Sequence, residues 1–114
     1  MKINKTIKLA WYDPRNGEIF PAGFAVFNEN KGDYFLKIFE ESEKRHFYLK
    51  PSEYSDGTTR YRMEMVLLDS NNKPTKRRFV GIGESTPYTN KNIHINYGSK
   101  YKILVLFAGG SNNE

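Results

Sequence analysis

FLKIFEESEKRHF, residues 35–47, can be read in two ways, and the choice sets the fold class. As a helix it places Phe35, Ile38 and Phe39 at helical spacing. As a hairpin it follows the Gly32-Asp33 turn signal, opens on the β-favouring Tyr34, Phe35 and Ile38, and uses the charged run around Glu40, Glu41 and Glu43 as its loop. The turn and the β-favouring residues select the hairpin, and the rest of the chain then reads as strand and turn.

Outside this segment the apolar period is mostly two. Ile7, Leu9 and Trp11 alternate with Lys8 and Ala10. Tyr61, Met63, Met65 and Leu67 alternate with polar residues, as do Ile93, Ile95 and Tyr97. From Tyr101 to Phe107 the alternation gives way to a run apolar on both faces, which predicts a strand covered on both sides. Turn signals separate the runs. They are Asp13-Pro14-Arg15-Asn16-Gly17, Asn30 to Asp33, Asp69 to Pro74, and Tyr97-Gly98-Ser99. The expected strands are 5–12, 18–28, 34–40, 46–50, 59–68, 75–83, 92–97 and 100–107. Strands this closely spaced predict an all-β fold, a single small antiparallel β-barrel or sandwich of about seven to eight strands joined by tight turns. The 114 residues make one domain by length, expected over 1–108, with 109–114 as a disordered tail because it lacks apolar residues.

Composition limits the chemistry. The chain has no cysteine, which removes disulfides, thiolate metal ligands and cysteine nucleophiles together. The longest apolar run, 103–108, is far short of the roughly 18 residues of a membrane helix, and the N-terminus has no leader-like run. The expectation is a cytoplasmic protein without a membrane partner. The net charge is +5, and it is uneven. Residues 1–57 carry 9 basic and 9 acidic side chains, whereas residues 58–114 carry 9 basic and 4 acidic. This asymmetry points to a polyanionic partner, although a basic balance is also common among small proteins.

The hairpin reading has a consequence for its surface. If Glu40 stands opposite Arg45, then Ile38 faces Phe47 and Leu36 faces Leu49 on one side. Phe39 then faces His46, Lys37 faces Tyr48, and Phe35 faces Lys50 on the other. The second side alternates rings with cations across the strands. Single-stranded nucleic acid is held by that combination, with rings stacking on bases and cations following phosphates. The alternative is a second core, in which another sheet covers Phe35 and Phe39 and the lysines reach out at its edge.

The next hairpin adds Arg60, Arg62 and Lys76. With Leu68 paired to Pro74, Glu64 faces Arg78, Arg62 faces Val80, and Arg77 points to the core side. The candidate phosphate contacts are therefore Arg60, Arg62, Lys76, Lys37 and Lys50, and the candidate stacking rings are Phe35, Phe39 and Tyr48. Gly81-Ile82-Gly83 is read as a bulge or bend, because phosphate-cradling loops open a helix and no helical pattern follows here. His46 and His94 each stand alone on a strand, so neither a metal site nor a catalytic dyad is expected. Trp11 reads as a core anchor in phase with Ile7 and Leu9. Tyr12 and Tyr88 are candidates for a protein-binding patch.

These readings converge on a small binding module for single-stranded DNA or RNA with little sequence specificity, without cofactor or catalysis. The pattern is similar in architecture to small single-strand-binding barrels, though no motif names a family. The alternative is a protein–protein module, a small inhibitor or accessory protein acting through a sheet edge or the aromatic face. Oligomeric state is not legible in the sequence.

Overall fold

The computed structural model describes residues 6–55, 58–86, 91–98 and 102–109, the side chains of 53–55 apart. Eight strands follow one another: β1 (Thr6–Asp13), β2 (Glu18–Asn28), β3 (Asp33–Ile38), β4 (Arg45–Ser55), β5 (Thr58–Leu68), β6 (Pro74–Ser85), β7 (Ile93–Asn96) and β8 (Ile103–Leu106). Each pairs antiparallel with the next, and β8 returns to β1 through pairs such as Leu9 with Leu106 and Trp11 with Leu104. The sheet is thus a closed barrel in sequence order, not a sandwich. Among the described residues no helix is long and apolar enough to cross a membrane.

The barrel closes because one side of the period-two pattern is apolar on β1 to β5 and on β7 and β8. Leu9, Ala25, Leu36, Ile38, Phe47, Leu49, Met63, Ile93, Ile95, Leu104 and Leu106 point inward and are almost fully buried. A large aliphatic or aromatic side chain buried this way stabilises the fold by roughly 1.5–3 kcal/mol. Trp11 joins this core at 8% exposure, and its indole N–H is buried without an acceptor. The turns form as their residues dictate. The Asp13 carboxylate accepts from the Arg15 backbone N–H at 2.9 Å, and Gly17 takes φ +76°. The Asp69 carboxylate accepts from the backbone N–H groups of Asn71 and Lys73 at 2.8 and 3.0 Å.

Residues 35–47 do form a hairpin, but its register differs from the expected one. Leu36 lies opposite Phe47, Phe35 opposite Tyr48, and Tyr34 opposite Leu49. The slip is two residues, so every side chain keeps its expected face while its partner changes. The strand also stops at Ile38, and the Phe39 N–H turns away to the Ala22 carbonyl at 2.9 Å.

The β5–β6 hairpin departs further. Leu68 does pair with Pro74, but register shifts then fall between Leu67 and Leu68 and between Met63 and Glu64. Thr75 and Val80 are the extra residues. The first bulge flips the segment after it, so Arg77 comes to Val66, Arg78 to Met65, and Lys76 to Leu67. Glu64 therefore faces Phe79, not Arg78, and Arg62 faces Ile82, not Val80. Val80 packs against the core. Gly81 and Gly83 follow the second bulge, where β7 comes close. A Cβ on Gly81 would collide with the Asn96 carbonyl oxygen, and one on Gly83 would lie 3.0 Å from Ile93 Cγ2. The bend expected at these glycines is a close approach of two strands.

Strand β8 is buried over Leu104, Val105 and Leu106. Lys100 and Tyr101, expected to begin it, lie outside the described residues, as do Tyr88 and residues 110–114 of the expected tail. Gly109 donates its backbone N–H to Asn92 Oδ1 at 2.9 Å.

Candidate functional site

The outer face of β3, β4, β5 and β6 gathers charge around one carboxylate. Glu64 sits mid-strand on β5 with its side chain only 13% exposed. Arg77 donates to its Oε1 at 2.6 Å, the Lys50 ammonium lies 3.5 Å from the same oxygen, and Arg62 Nε lies 3.7 Å from Oε2. Burial alone would raise the Glu64 carboxyl, but bonds to Arg77 and Lys50 and their charges outweigh it and hold the group below the usual carboxylate range. Lys50 and Arg62 stand directly opposite each other across β4 and β5. Like charges in that position repel. Glu64 offsets the repulsion, yet three cations around one carboxylate leave an excess of positive charge.

Rings line the same face. Phe35, His46 and Tyr48 form a cluster, with Phe35 5.3 Å from His46 and 5.6 Å from Tyr48 between centroids. The Arg77 guanidinium lies 5.9 Å over Tyr48, and that of Arg62 lies 4.6 Å over the half-exposed Phe79. Each arginine is therefore held between a ring and Glu64 while its side chain stays about half exposed, at 53% for Arg77 and 52% for Arg62. All eight strands belong to the one barrel, so among the described residues no second sheet covers the rings. Phe35, His46 and Tyr48 are each partly buried against one another on this outer face.

Of the residues singled out in the sequence, Phe35, Tyr48, Lys50 and Arg62 come together here. Lys37 shares the face and stands opposite Phe24 on β2. Arg60 lies on the outer face of β5 and pairs with Glu84 at 3.6 Å. Phe39 is set apart. It lies beyond the end of β3, 59% exposed, with its ring 6.3 Å from Phe24. Lys76 is also set apart, because the bulge at Thr75 places it opposite the inward-facing Leu67. Arg77, Phe79, His46 and the organising Glu64 were missed. The pattern Thr75-Lys76-Arg77-Arg78-Phe79 carries both outward residues at alternate positions, but only in a register shifted by one.

A different groove runs over the outer face of β5 to β8. It has a volume of about 470 Å³ and is lined by Arg60, Ile82, Glu84, His94, Asn96 and Ile103, among others. Burial pushes the His94 imidazole below its ordinary value, which leaves a neutral side chain there. At one end of the barrel the Tyr97 hydroxyl donates to Glu41 Oε2 at 2.8 Å, and burial followed by this bond pushes the phenol up. Among the described residues no three His, Asp or Glu side chains are grouped to hold a metal. Compared with protein-family models, with curated proteins and with solved structures, the chain finds no match.

Proposed function

We propose that the β3–β6 face holds single-stranded DNA or RNA with little sequence preference. One observation carries the reading: a partly exposed ring cluster, Phe35, His46 and Tyr48, adjoins Lys50, Arg62 and Arg77 on the outside of a closed barrel. Every base has a π-face, so stacking on Tyr48, Phe35 and Phe79 is indifferent to sequence. Lys50, Arg62 and Arg77 meet the phosphates, and Arg60 and Lys37 extend the track. No cofactor is called for and no catalytic step is assigned. The test is a titration of a labelled oligothymidylate at low and moderate salt. The expected result is saturable binding that falls steeply with salt, as several phosphate contacts require. Absence of binding at low salt overturns the proposal.

A second reading, a protein partner, draws on a separate observation. Phe39 and Ile19 are each 59% exposed, and Phe20 is also exposed. Apolar side chains left in water suit an interface. Loss of partner capture by Phe39→Ser, with oligonucleotide binding absent in the parent, would favour this reading over the first.

A further inference from the structure

We infer that Glu64 is an internal stand-in for a backbone phosphate, and that nucleic acid enters this site by exchange, its phosphate taking the cations that Glu64 holds in the free protein. The inference rests on the nucleic-acid reading above and adds how that site is kept and opened.

The geometry argues for exchange. A carboxylate and a phosphodiester each offer two charged oxygens to cationic donors. Glu64 uses both of its oxygens, Oε1 toward Arg77 and Lys50 and Oε2 toward Arg62. Arg77 also lies over Tyr48 of the ring cluster, and Lys50 follows Tyr48 by two residues on the outer face of β4. Glu64 is largely buried, while the side chains of the cations are exposed at 41% for Lys50 and just over half for the two arginines. A phosphate arriving from solvent thus meets the open side of cations whose inner side is already neutralised. In the free protein Arg62 lies over Phe79 and Arg77 over Tyr48, contacts that do not depend on the Glu64 charge. Without an anion, Lys50 and Arg62 would face each other directly across the sheet. Glu64 offsets that repulsion in the empty site, and a phosphate replaces it in the filled one.

The inference predicts the sign of a mutation. Were Glu64 only a scaffold, removing its charge would loosen the cations and weaken binding. As a competitor, its removal frees them. Glu64→Gln keeps the shape and deletes the charge, and it should bind oligothymidylate about tenfold more tightly than the parent. Its salt dependence should be steeper by about 0.7 in log–log slope, one more phosphate neutralised on a single strand. Glu18→Gln is the control. It removes the same net charge from the exposed start of β2, outside the β3–β6 face, and should change affinity little. A readout needing no substitution goes alongside: the Glu64 carboxyl ¹³C resonance of the parent should move on saturation with the oligonucleotide. Weaker or unchanged binding by Glu64→Gln, with the parent binding, overturns the exchange and leaves the nucleic-acid reading standing. Equal tightening by Glu18→Gln overturns it too, since net charge would then explain both. If neither parent nor Glu64→Gln binds, the nucleic-acid reading falls and the exchange with it. Should the variant fail to fold, an unmoved Glu64 resonance in saturated parent protein overturns the exchange by itself.

Discussion

The two outer faces of the barrel differ although they share one core. The β3–β6 face is built on strands β4, β5 and β6 of 11, 11 and 12 residues, and it carries cations, rings and one organising carboxylate. The face that continues through β7 and β8 to β1 uses β7 and β8 of only 4 residues each, and its outward side chains include Ile82, His94, Ile103, Val105 and Tyr12. The inward residues of both faces are the same kind of aliphatic filling. Closing the barrel therefore constrains only half of each strand, and the outward half can vary without cost to the core. The uneven charge of the sequence has its source here. The hairpin of β5 and β6, residues 58–85, carries 6 basic side chains (Arg60, Arg62, Lys73, Lys76, Arg77, Arg78) against 3 acidic ones (Glu64, Asp69, Glu84).

The largest effect is expected where the two faces join. Strand β6 leaves one face and enters the other at the bulge of Val80 and Gly81, and the Asn96 carbonyl occupies the space of an added Cβ. Gly81→Val should cost about 3 kcal/mol, the upper end of ordinary overpacking. The melting temperature should fall on the order of 10 °C. Thermal unfolding followed by circular dichroism checks this, and an unchanged midpoint would mean that β6 and β7 can part without loss.

How far the sequence was legible follows from the parity of the slips. Alternation in the strands and Asp, Asn, Gly and Pro in the turns located eight strands within a few residues, because pleat and turn angles are local. Register was not legible, because bulges answer to barrel closure. In the β3–β4 hairpin the error was two residues, and Phe35 and Tyr48 kept their outward face. In β6 the bulge at Thr75 added one residue, which exchanged the register positions of Arg77 and Arg78 and brought Lys76, still exposed, opposite Leu67. The bulge at Val80 added a second and restored the parity, so that Ile82 again faces outward. A slip of one inverts a site, whereas a slip of two only re-pairs it. Glu64 was visible as an outward residue, but its role depended on which arginine arrived opposite, and that was fixed by a bulge.

Next in size is the contrast in binding. Tyr48→Ala should lose about 1–3 kcal/mol of oligonucleotide affinity, the worth of one stacked base. Tyr12→Ala, on the other face, should lose none. Equal losses from both, measured by fluorescence anisotropy, would break the division between the faces. Smaller again is the change in salt dependence. Arg77→Ala should lower the log–log slope by about 0.7, one phosphate contact on a single strand. A slope that does not change would remove Arg77 from the phosphate track and leave it as a structural partner of Glu64.

The smallest effect separates the faces by pH. On the β7 side, burial holds His94 below its ordinary 6.5, so the folded state prefers the neutral imidazole. The unfolded chain then takes up protons first. This contribution to stability is full above 6.5 and is lost as pH falls from there through the depressed folded value. On the β5 side, Glu64 is held below its ordinary 4.5, so its contribution is full above 4.5 and is lost only at lower pH. Asp13 and Asp69, both lowered from 3.8 by bonds in their turns, add to that more acidic loss. Stability should therefore fall in two separable steps as the protein is acidified. His94→Gln should flatten the upper step and leave the lower one. Glu64→Gln should leave the upper step and shrink the lower one without abolishing it, because the two turn aspartates remain. If Glu64→Gln instead flattened the upper step, the two faces would be electrostatically coupled through the sheet. The route would run along β6, where Glu84 stands opposite both Arg60 and His94.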